Sequence, residues 1–188
     1  PPFYYGDYDA WCYVLVDHDA PNVTKEYGEP NVYMDLGGGE MGHAITSHTV
    51  IYINATDLPD EANASGIDKI YWSFDGLTWY NTTSFNGAYT ASYSFTPADL
   101  GLTEGFYQIF IEASDRLGHV SDQLKQKFVI DDTAPESVAN ASCQGKTIIV
   151  TAGASDNFVG VESVELFGRY SEDGMNWTLW MSYGYGTY

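Results

Sequence analysis

The sequence of 188 residues predicts an all-β protein made of β-sandwich modules in tandem. Three observations support this prediction. No segment carries the sustained i, i+3, i+4, i+7 apolar spacing of a helix. Short stretches rich in β-branched and aromatic residues recur along the chain with turn residues between them, as in sandwiches. Two stretches roughly a hundred positions apart match almost residue for residue, which indicates repeated modules.

The strand signals are local and easy to place. Four segments have the composition or the alternation of a strand: 48–53, 106–112, 124–130 and 146–151. Between other strand-like segments stand the dipeptides Asp75-Gly76 and Asp173-Gly174, and this dipeptide is the strongest short signal for a β-hairpin. The chain is therefore expected to run as antiparallel strands joined by tight turns.

The internal repeat sets the predicted module boundaries. Residues 66–79 match residues 160–177, and Leu15–Pro21 aligns with Val129–Pro135. Leu15–Pro21 and Val129–Pro135 each contain the end of a strand followed by Ala-Pro. Because proline cannot donate a hydrogen bond to a strand ladder, this proline marks a module boundary. Three units follow: residues 1–17 are the last strand of a module, residues 18–131 a complete sandwich, and residues 132–188 the front half of another. Within the second unit, residues 24–42 have no counterpart and are expected to form a surface loop or an irregular edge.

The string Ser65-Gly-Ile-Asp-Lys-Ile-Tyr-Trp-Ser-x-Asp-Gly-x-x-Trp79, together with Glu112-Ala-Ser-Asp-Arg-Leu-Gly-His-Val120, resembles a known repeat. It is similar to the immunoglobulin-like and fibronectin-III-like repeats of bacterial and archaeal surface proteins, with His119 where those repeats carry Asn. The resemblance covers residues 48–188. It implies immunoglobulin-like sandwiches at a cell surface, where such modules act as spacers, adhesins or lattice components, and it implies no activity.

Composition excludes several classes of function. The formal charge is −19 with only 7 Lys and Arg, so nucleic acid and anionic membranes are not expected as partners. No apolar run is long enough for a membrane span, and membrane insertion is not predicted. The four histidines have no metalloprotease spacing and there is no nucleophile elbow, so the chain is predicted not to be an enzyme.

The glycosylation pattern Asn-x-Ser/Thr predicts an extracellular, N-glycosylated protein. It occurs at six positions: Asn22, Asn54, Asn63, Asn81, Asn140 and Asn176. The alternative is that strands rich in Thr and turns rich in Asn produce the pattern by chance. Because the sequence begins with Pro, we expect either a processed chain or an excerpt of a longer one.

Carboxylates recur where the predicted modules meet. The candidate metal ligands are Asp17, Asp19, Asp57, Asp131, Asp132 and Asp156. Ca²⁺ takes six to eight oxygen ligands from flexible loops, so Ca²⁺ at these positions would stiffen the array and offset negative charge. The alternative is that these side chains cap turns through their own backbone, and this alternative is favoured for Asp115.

Aromatic residues allow a second kind of function. Core and cross-strand packing is the favoured interpretation of most of them, because Trp79 and Trp177 hold equivalent positions in the repeat. A carbohydrate-binding or adhesive module would instead present an exposed row of rings to a sugar face. The cluster Trp180, Tyr183, Tyr185 and Tyr188 is the best candidate for that role.

The two cysteines, Cys12 and Cys143, lie in different predicted modules with a whole sandwich between them. A disulfide needs Cα atoms within about 7 Å, so an extended array excludes one within a chain. First and last strands of such sandwiches can lie side by side, which allows an intermolecular disulfide. Residues Trp11, Tyr13, Val14, Leu15 and Val16 would then form a donated strand that completes the last module of a neighbouring copy, building a head-to-tail filament or surface layer (S-layer). The alternative is that the chain is an excerpt of a longer tandem array.

Overall fold

The computed structural model describes residues 16–187, and this part of the chain is all-β, with 51% of residues in strands. The strands, in chain order, are β1 Asn22–Tyr27, β2 Asn31–Asp35, β3 Met41–Ile45, β4 Ile51–Thr56, β5 Ile67–Ser73, β6 Tyr80–Asn81, β7 Thr90–Phe95, β8 Gly105–Asp115, β9 Leu124–Ile130, β10 Glu136–Gln144, β11 Thr147–Ser155, β12 Ser163–Gly168 and β13 Met181–Thr187. The described part of the chain also contains one 3-10 turn, Pro97–Leu100. Within residues 16–187, no helix is long and apolar enough to cross a membrane.

The first nine strands form two sheets. One is three-stranded, in the order β1-β4-β7, and is antiparallel throughout. The other is six-stranded, in the order β2-β3-β9-β8-β5-β6, with β3 and β9 parallel and the remaining pairs antiparallel. Within the described residues, β9 therefore lies beside β3 and β8, while β1 pairs with β4. The first and last strands of this unit are not neighbours.

Both sheets contribute to one hydrophobic core, which gives a sandwich-like arrangement. From the three-stranded sheet come Val23, Ile51, Ile53, Ala55, Ala91 and Phe95. From the six-stranded sheet come Ile45, Ile67, Ile70, Trp72, Ile109, Ile111, Ala113, Phe128 and Ile130. Alternation produces this layout: in β4 the buried Ile51 and Ile53 alternate with the outward Tyr52, because successive side chains of a strand point to opposite faces.

Most predicted strands are present, with shifted ends. β9 spans the predicted 124–130, and β8 extends the predicted 106–112 at both ends. β4 begins only at Ile51, because the Thr49 amide donates to the Thr46 carbonyl (3.1 Å) and holds the preceding residues in a turn. Residues 24–42 are not a loop. They contain most of β1, the whole of β2, which is a regular strand at the edge of the six-stranded sheet, and a glycine turn that leads into β3.

The last four strands form two separate two-stranded sheets, β10–β11 and β12–β13. No residue from 132 to 187 is buried, whereas residues 16–131 contain the whole core. Between β11 and the β12–β13 pair lies an open cleft of about 310 Å³, lined mainly by small and aliphatic residues, including Val150, Ala152, Leu166 and Gly184.

The two Asp-Gly turns have the same internal hydrogen bonds. Asp75 Oδ1 accepts from the amides of Leu77 (2.8 Å) and Thr78 (2.6 Å). Asp173 Oδ1 accepts from the amides of Met175 and Asn176, both at 2.8 Å. A serine hydroxyl two residues earlier also donates to each carboxylate, at 3.0 Å in both turns. The sequence repeat is thus also a repeat of local structure.

One lysine lies on the inward face of β1. Lys25 follows the buried Val23 by two positions, and its Nζ lies 3.0 Å from the centroid of the Tyr27 ring. Among residues 16–187 its ammonium group has no hydrogen-bond partner. Burial lowers the pKa of Lys25 to about 7, because an ammonium group removed from water loses its hydration.

Candidate metal centre

Four side chains from three separate segments of the chain meet at one end of the sandwich. We call Asp17, Asp57, Asp115 and His119 the first acidic cluster. Asp17 precedes β1, Asp57 follows β4, Asp115 ends β8, and His119 lies in the turn after it. The three carboxylates are buried, with exposures of 4%, 0% and 2%.

Asp115 organises the turn that carries His119. Its Oδ1 accepts hydrogen bonds from the amides of Leu117 (2.9 Å) and His119 (2.8 Å). Its Oδ2 lies 2.6 Å from Nδ1 of His119, within both hydrogen-bond and ion-pair distance. This hydrogen bond, together with the negative charge of Asp115, raises the pKa of His119. Asp115 therefore caps its turn, as expected, and also holds an imidazole beside the cluster.

Asp17 joins the segment before β1 to the turn before β5. Its Oδ1 accepts from the Asp19 amide (3.1 Å) and its Oδ2 from the Ser65 amide (2.7 Å). Burial acts to raise the pKa of Asp17, but these amides lower it further than burial raises it, so the net shift is downward. The side chain is held in the carboxylate form, which is the form that binds cations.

Asp57 is completely buried, and within residues 16–187 one of its two carboxylate oxygens is hydrogen-bonded. Its Oδ2 accepts from the Gly66 amide (2.5 Å) and lies 3.5 Å from Ser65 Oγ. Its Oδ1 has no hydrogen-bond partner among residues 16–187. Burial raises the pKa of Asp57, and the negative charges of Asp17 and Asp115 raise it further, despite the amide bonds that oppose the shift.

The geometry of the cluster suits a cation. One imidazole nitrogen of His119 and one carboxylate oxygen each from Asp17 and Asp115 lie within 4.8 Å of one another. Asp57 is tied to the same place, because its carboxylate and that of Asp17 accept from the consecutive amides of residues 65 and 66. Among the described residues, no Lys or Arg forms an ion pair with these carboxylates.

A second acidic cluster, Asp131 and Asp156, repeats part of this geometry. Asp131 accepts from the amides of Thr133 (3.1 Å) and Val159 (3.3 Å). Asp17 is bound in the same way, by the amide two residues later, that of Asp19, and by the amide of Ser65 in the segment before β5. Asp156 Oδ1 accepts from the amides of Phe158, Val159 and Gly160 at 3.0 to 3.2 Å. Burial and the charge of Asp156 raise the pKa of Asp131, whereas the amides lower the pKa of Asp156.

No protein-family model, curated protein or solved structure matches this chain. The site is therefore interpreted from its own residues alone.

Of the six predicted metal ligands, the structure brings together Asp17 with Asp57, and Asp131 with Asp156. The other two lie apart. Asp19 is exposed, and Asp132 is exposed with its Oδ1 accepting from the Ser47 amide (2.8 Å). Sequence reasoning missed the metal-ligating potential of Asp115 and His119. The signal that could have found them is that Asp57 and Asp115 both follow or end strands. Asp57 accepts from the Gly66 amide, and the pairing of β5 with β8 places Asp115 opposite Ile67, the next residue.

The remaining predicted site residues are accessible where the structure describes them. Of the six glycosylation asparagines, five are exposed and Asn54 is half-buried. Cys143 is an exposed free thiol in β10, and Val16 is exposed. Trp177, Trp180, Tyr183 and Tyr185 are each more than half exposed. Cys12, Trp11, Tyr13, Val14, Leu15 and Tyr188 lie outside the described residues.

Proposed function

We propose that this chain is a structural subunit of an extracellular, glycosylated filament or surface layer and not an enzyme. In this proposal, copies assemble head-to-tail, as a strand from the N-terminal segment of one copy is added to the last unit of the next. The observation that carries the proposal is the absence of any buried residue between 132 and 187, a segment rich in apolar side chains.

Such a segment needs a covering partner. Its exposed apolar residues include Val138, Ile148, Ile149, Val150, Phe167, Trp177, Leu179, Trp180, Met181, Tyr183 and Tyr185. A two-stranded sheet alone is at best marginally stable in water, and here two of them stand side by side without a shared core. Exposed apolar side chains in this number are typical of an interface.

The proposed covering element is residues 10–16 of a second copy. Its strand would run along the free edge of β10, whose other edge is occupied by β11. Neighbouring strands are about 5 Å apart, so this edge can bring Cys12 of one copy within disulfide distance of the exposed Cys143 of the next. Seven residues of strand span about 23 Å, against about 30 Å for the nine residues of β10.

The modular interpretation is part of the proposal: residues 1–17, 18–131 and 132–188 as successive immunoglobulin-like units, the last of them incomplete within the chain. The repeated hydrogen bonds of the two Asp-Gly turns support it, as do those of Asp17 and Asp131. An extracellular location is supported by the exposed glycosylation asparagines and by the charge of −19.

The proposal also includes a divalent cation, with Ca²⁺ as the first candidate, at both acidic clusters. Carboxylate oxygens are among the usual ligands of Ca²⁺. Bound Ca²⁺ would stiffen the connections between units. Thermal unfolding with Ca²⁺ and with a chelator tests this part, and two superimposable melting curves would remove Ca²⁺ from the proposal.

Assembly is tested on the full chain by sedimentation velocity, electron microscopy and non-reducing gels. We expect polymers with an intermolecular disulfide. Val14→Pro removes a ladder donor from the proposed strand and should give monomers, whereas the matched Val14→Thr keeps a β-branched strand former and should still polymerise. A natural chain that is monomeric with two titratable thiols would refute strand donation and leave the covering role to another segment of a longer array.

A second candidate function is carbohydrate binding or adhesion. The specific observation is that Arg169 lies about 5 Å from the rings of both Trp177 and Trp180, which fixes two exposed aromatic rings around one guanidinium group. Flat exposed rings of this kind can stack on sugars. Glycan-array binding that is lost in Trp180→Ala and Tyr183→Ala, with the assembly state unchanged, would favour this function.

A further inference from the structure

The first acidic cluster differs from the second in having a nitrogen ligand and an additional buried carboxylate. In the second cluster, the carboxylates of Asp131 and Asp156 are the groups brought together. In the first, the imidazole of His119 lies within 4.8 Å of ligand oxygens of Asp17 and Asp115. This difference in donor chemistry bears directly on which cation each cluster prefers.

We propose that Asp17, Asp115 and His119, with Asp57 as a further ligand, form a binding site for a first-row transition-metal dication such as Zn²⁺. Imidazole is a preferred ligand for Zn²⁺, Co²⁺ and Ni²⁺, whereas Ca²⁺ takes oxygen ligands almost exclusively. This inference rests on the part of the proposed function that places a cation at this cluster. It does not depend on strand donation.

An independent observation at Asp57 indicates a ligand. The side chain is completely buried, and its Oδ1 has no hydrogen-bond partner among residues 16–187. Buried polar atoms in native proteins are almost always paired, and an unpaired buried carboxylate oxygen is costly. The Asp57 carboxylate is held by the Gly66 amide, next to the amide that holds Asp17, so Asp57 lies beside the three side chains whose ligand atoms are within 4.8 Å of one another.

The charge balance agrees with a dication. The three buried carboxylates carry −3, and His119 must be neutral to bind a metal, so a bound dication reduces the net charge of the described residues of the cluster to −1. Buried charges are normally paired or bound to metals. A dication therefore offsets most of the charge that the protein leaves uncompensated. His119 Nδ1 and Asp115 Oδ2 are 2.6 Å apart, a hydrogen-bond distance.

The site can be tested with a variant that remains folded. The side chain of His119 is about one-third exposed, so His119→Asn should leave the core unchanged. His48→Asn is the matched control, since His48 is exposed and lies outside the cluster. The full chain, treated with chelator and then freed of it, is titrated with Zn²⁺, Co²⁺ and Ca²⁺ by calorimetry. Imidazole nitrogen resonances and the visible absorption of bound Co²⁺ report nitrogen ligation directly.

We expect tight binding of Zn²⁺ and Co²⁺ at this cluster, weakened at least about tenfold in His119→Asn and unchanged in His48→Asn. Ca²⁺ binding should be unaffected by either substitution. Asp57→Asn should also weaken Zn²⁺ binding. Zn²⁺ affinity that is equal in the natural chain and His119→Asn would overturn the inference, as would binding of Ca²⁺ alone. Binding of Ca²⁺ alone would leave the Ca²⁺ part of the proposed function intact, so a failure of this inference is distinguishable from a failure of the proposed function.

Discussion

Replacing Lys25 by methionine should stabilise the protein at neutral pH. The ammonium group lies on the inward face of β1 with no hydrogen-bond partner in the described part of the chain. A fall in pKa from 10.5 to about 7 corresponds to a cost of about 5 kcal/mol when the group is fully charged in the folded protein. At pH 7 the cost is about 4 kcal/mol, because about half of the lysines are neutral there.

The Tyr27 ring offsets part of this cost. Its centroid lies 3.0 Å from Nζ, and a desolvated cation–π contact is worth up to about 2 kcal/mol. Methionine has a similar volume and no charge, so it keeps the packing of the lysine stem. We therefore expect Lys25→Met to raise the free energy of unfolding by about 2–3 kcal/mol at pH 7.

The pH dependence distinguishes this effect from simple packing. Between pH 7 and 10.5 the unfolded natural chain binds more protons at Lys25 than the folded one, so its stability rises with pH in this window. The Met variant lacks that rise. The advantage of the variant is thus largest at pH 7 and below, and it shrinks to less than about 1 kcal/mol as the pH passes 10.5.

The assay is urea unfolding from pH 6 to 10.5, followed by tryptophan fluorescence and far-UV circular dichroism. Lys125→Met is the matched control, because Lys125 is exposed, and its effect should stay within about 0.5 kcal/mol at every pH. If Lys25→Met were less stable than the natural chain at pH 7, or if its effect did not change with pH, the ammonium group would be solvated or paired and the reasoning would be wrong.

Three further predictions concern the fold. Gly66→Ala should cost more than about 3 kcal/mol in a thermal or urea melt, because its Cβ would lie 2.0 Å from the Gly87 carbonyl oxygen at a φ of +88°; Gly101→Ala, at positive φ in open space, should cost only about 1–2 kcal/mol. Phe128→Ala should cost about 3–5 kcal/mol, since the ring is fully buried in the core; a loss below about 1 kcal/mol would contradict this burial. The Thr78 and Leu77 amides hold the pKa of Asp75 below its ordinary value of 3.8, so the contribution of Asp75 to stability is present above pH 3.8 and is lost as the pH falls below it. Asp75→Asn should therefore flatten the acid side of the plot of stability against pH. An unchanged acid side would argue against these hydrogen bonds.

The strands were largely predictable because their signals are local. Residues 124–130 alternate in the sequence and form β9 with the same bounds. The Asp-Gly turns were predictable for the same reason, since the carboxylate and the amides that bind it lie within three residues. Strand ends were less accurate. At Thr49 the side chain bonds to the Pro30 carbonyl (2.8 Å), a distant partner that periodicity cannot reveal.

The candidate site was only half predictable. Asp17 and Asp57 were found because they end strands at repeated positions. For Asp115 the cap of a turn was the favoured interpretation, and His119 was not expected to take part in a metal site. What joins them to the site is the antiparallel pairing of β5 with β8, which places Asp115 opposite Ile67 and beside the turn that binds the other two carboxylates. Pairing across nearly fifty residues of chain is not encoded in any local window.

The sequence by itself determined an all-β chain with repeated turns and a strong negative charge, because alternation, turn chemistry and net charge are properties of neighbouring residues or of the whole composition. The tertiary structure decided which carboxylates are buried together, that Lys25 lies on an inward face, and that residues 132–187 have no core of their own. These are questions of burial and of distance between remote segments. The free energies involved come from removing groups from water and from placing charges side by side, and both require strands that are already paired and packed.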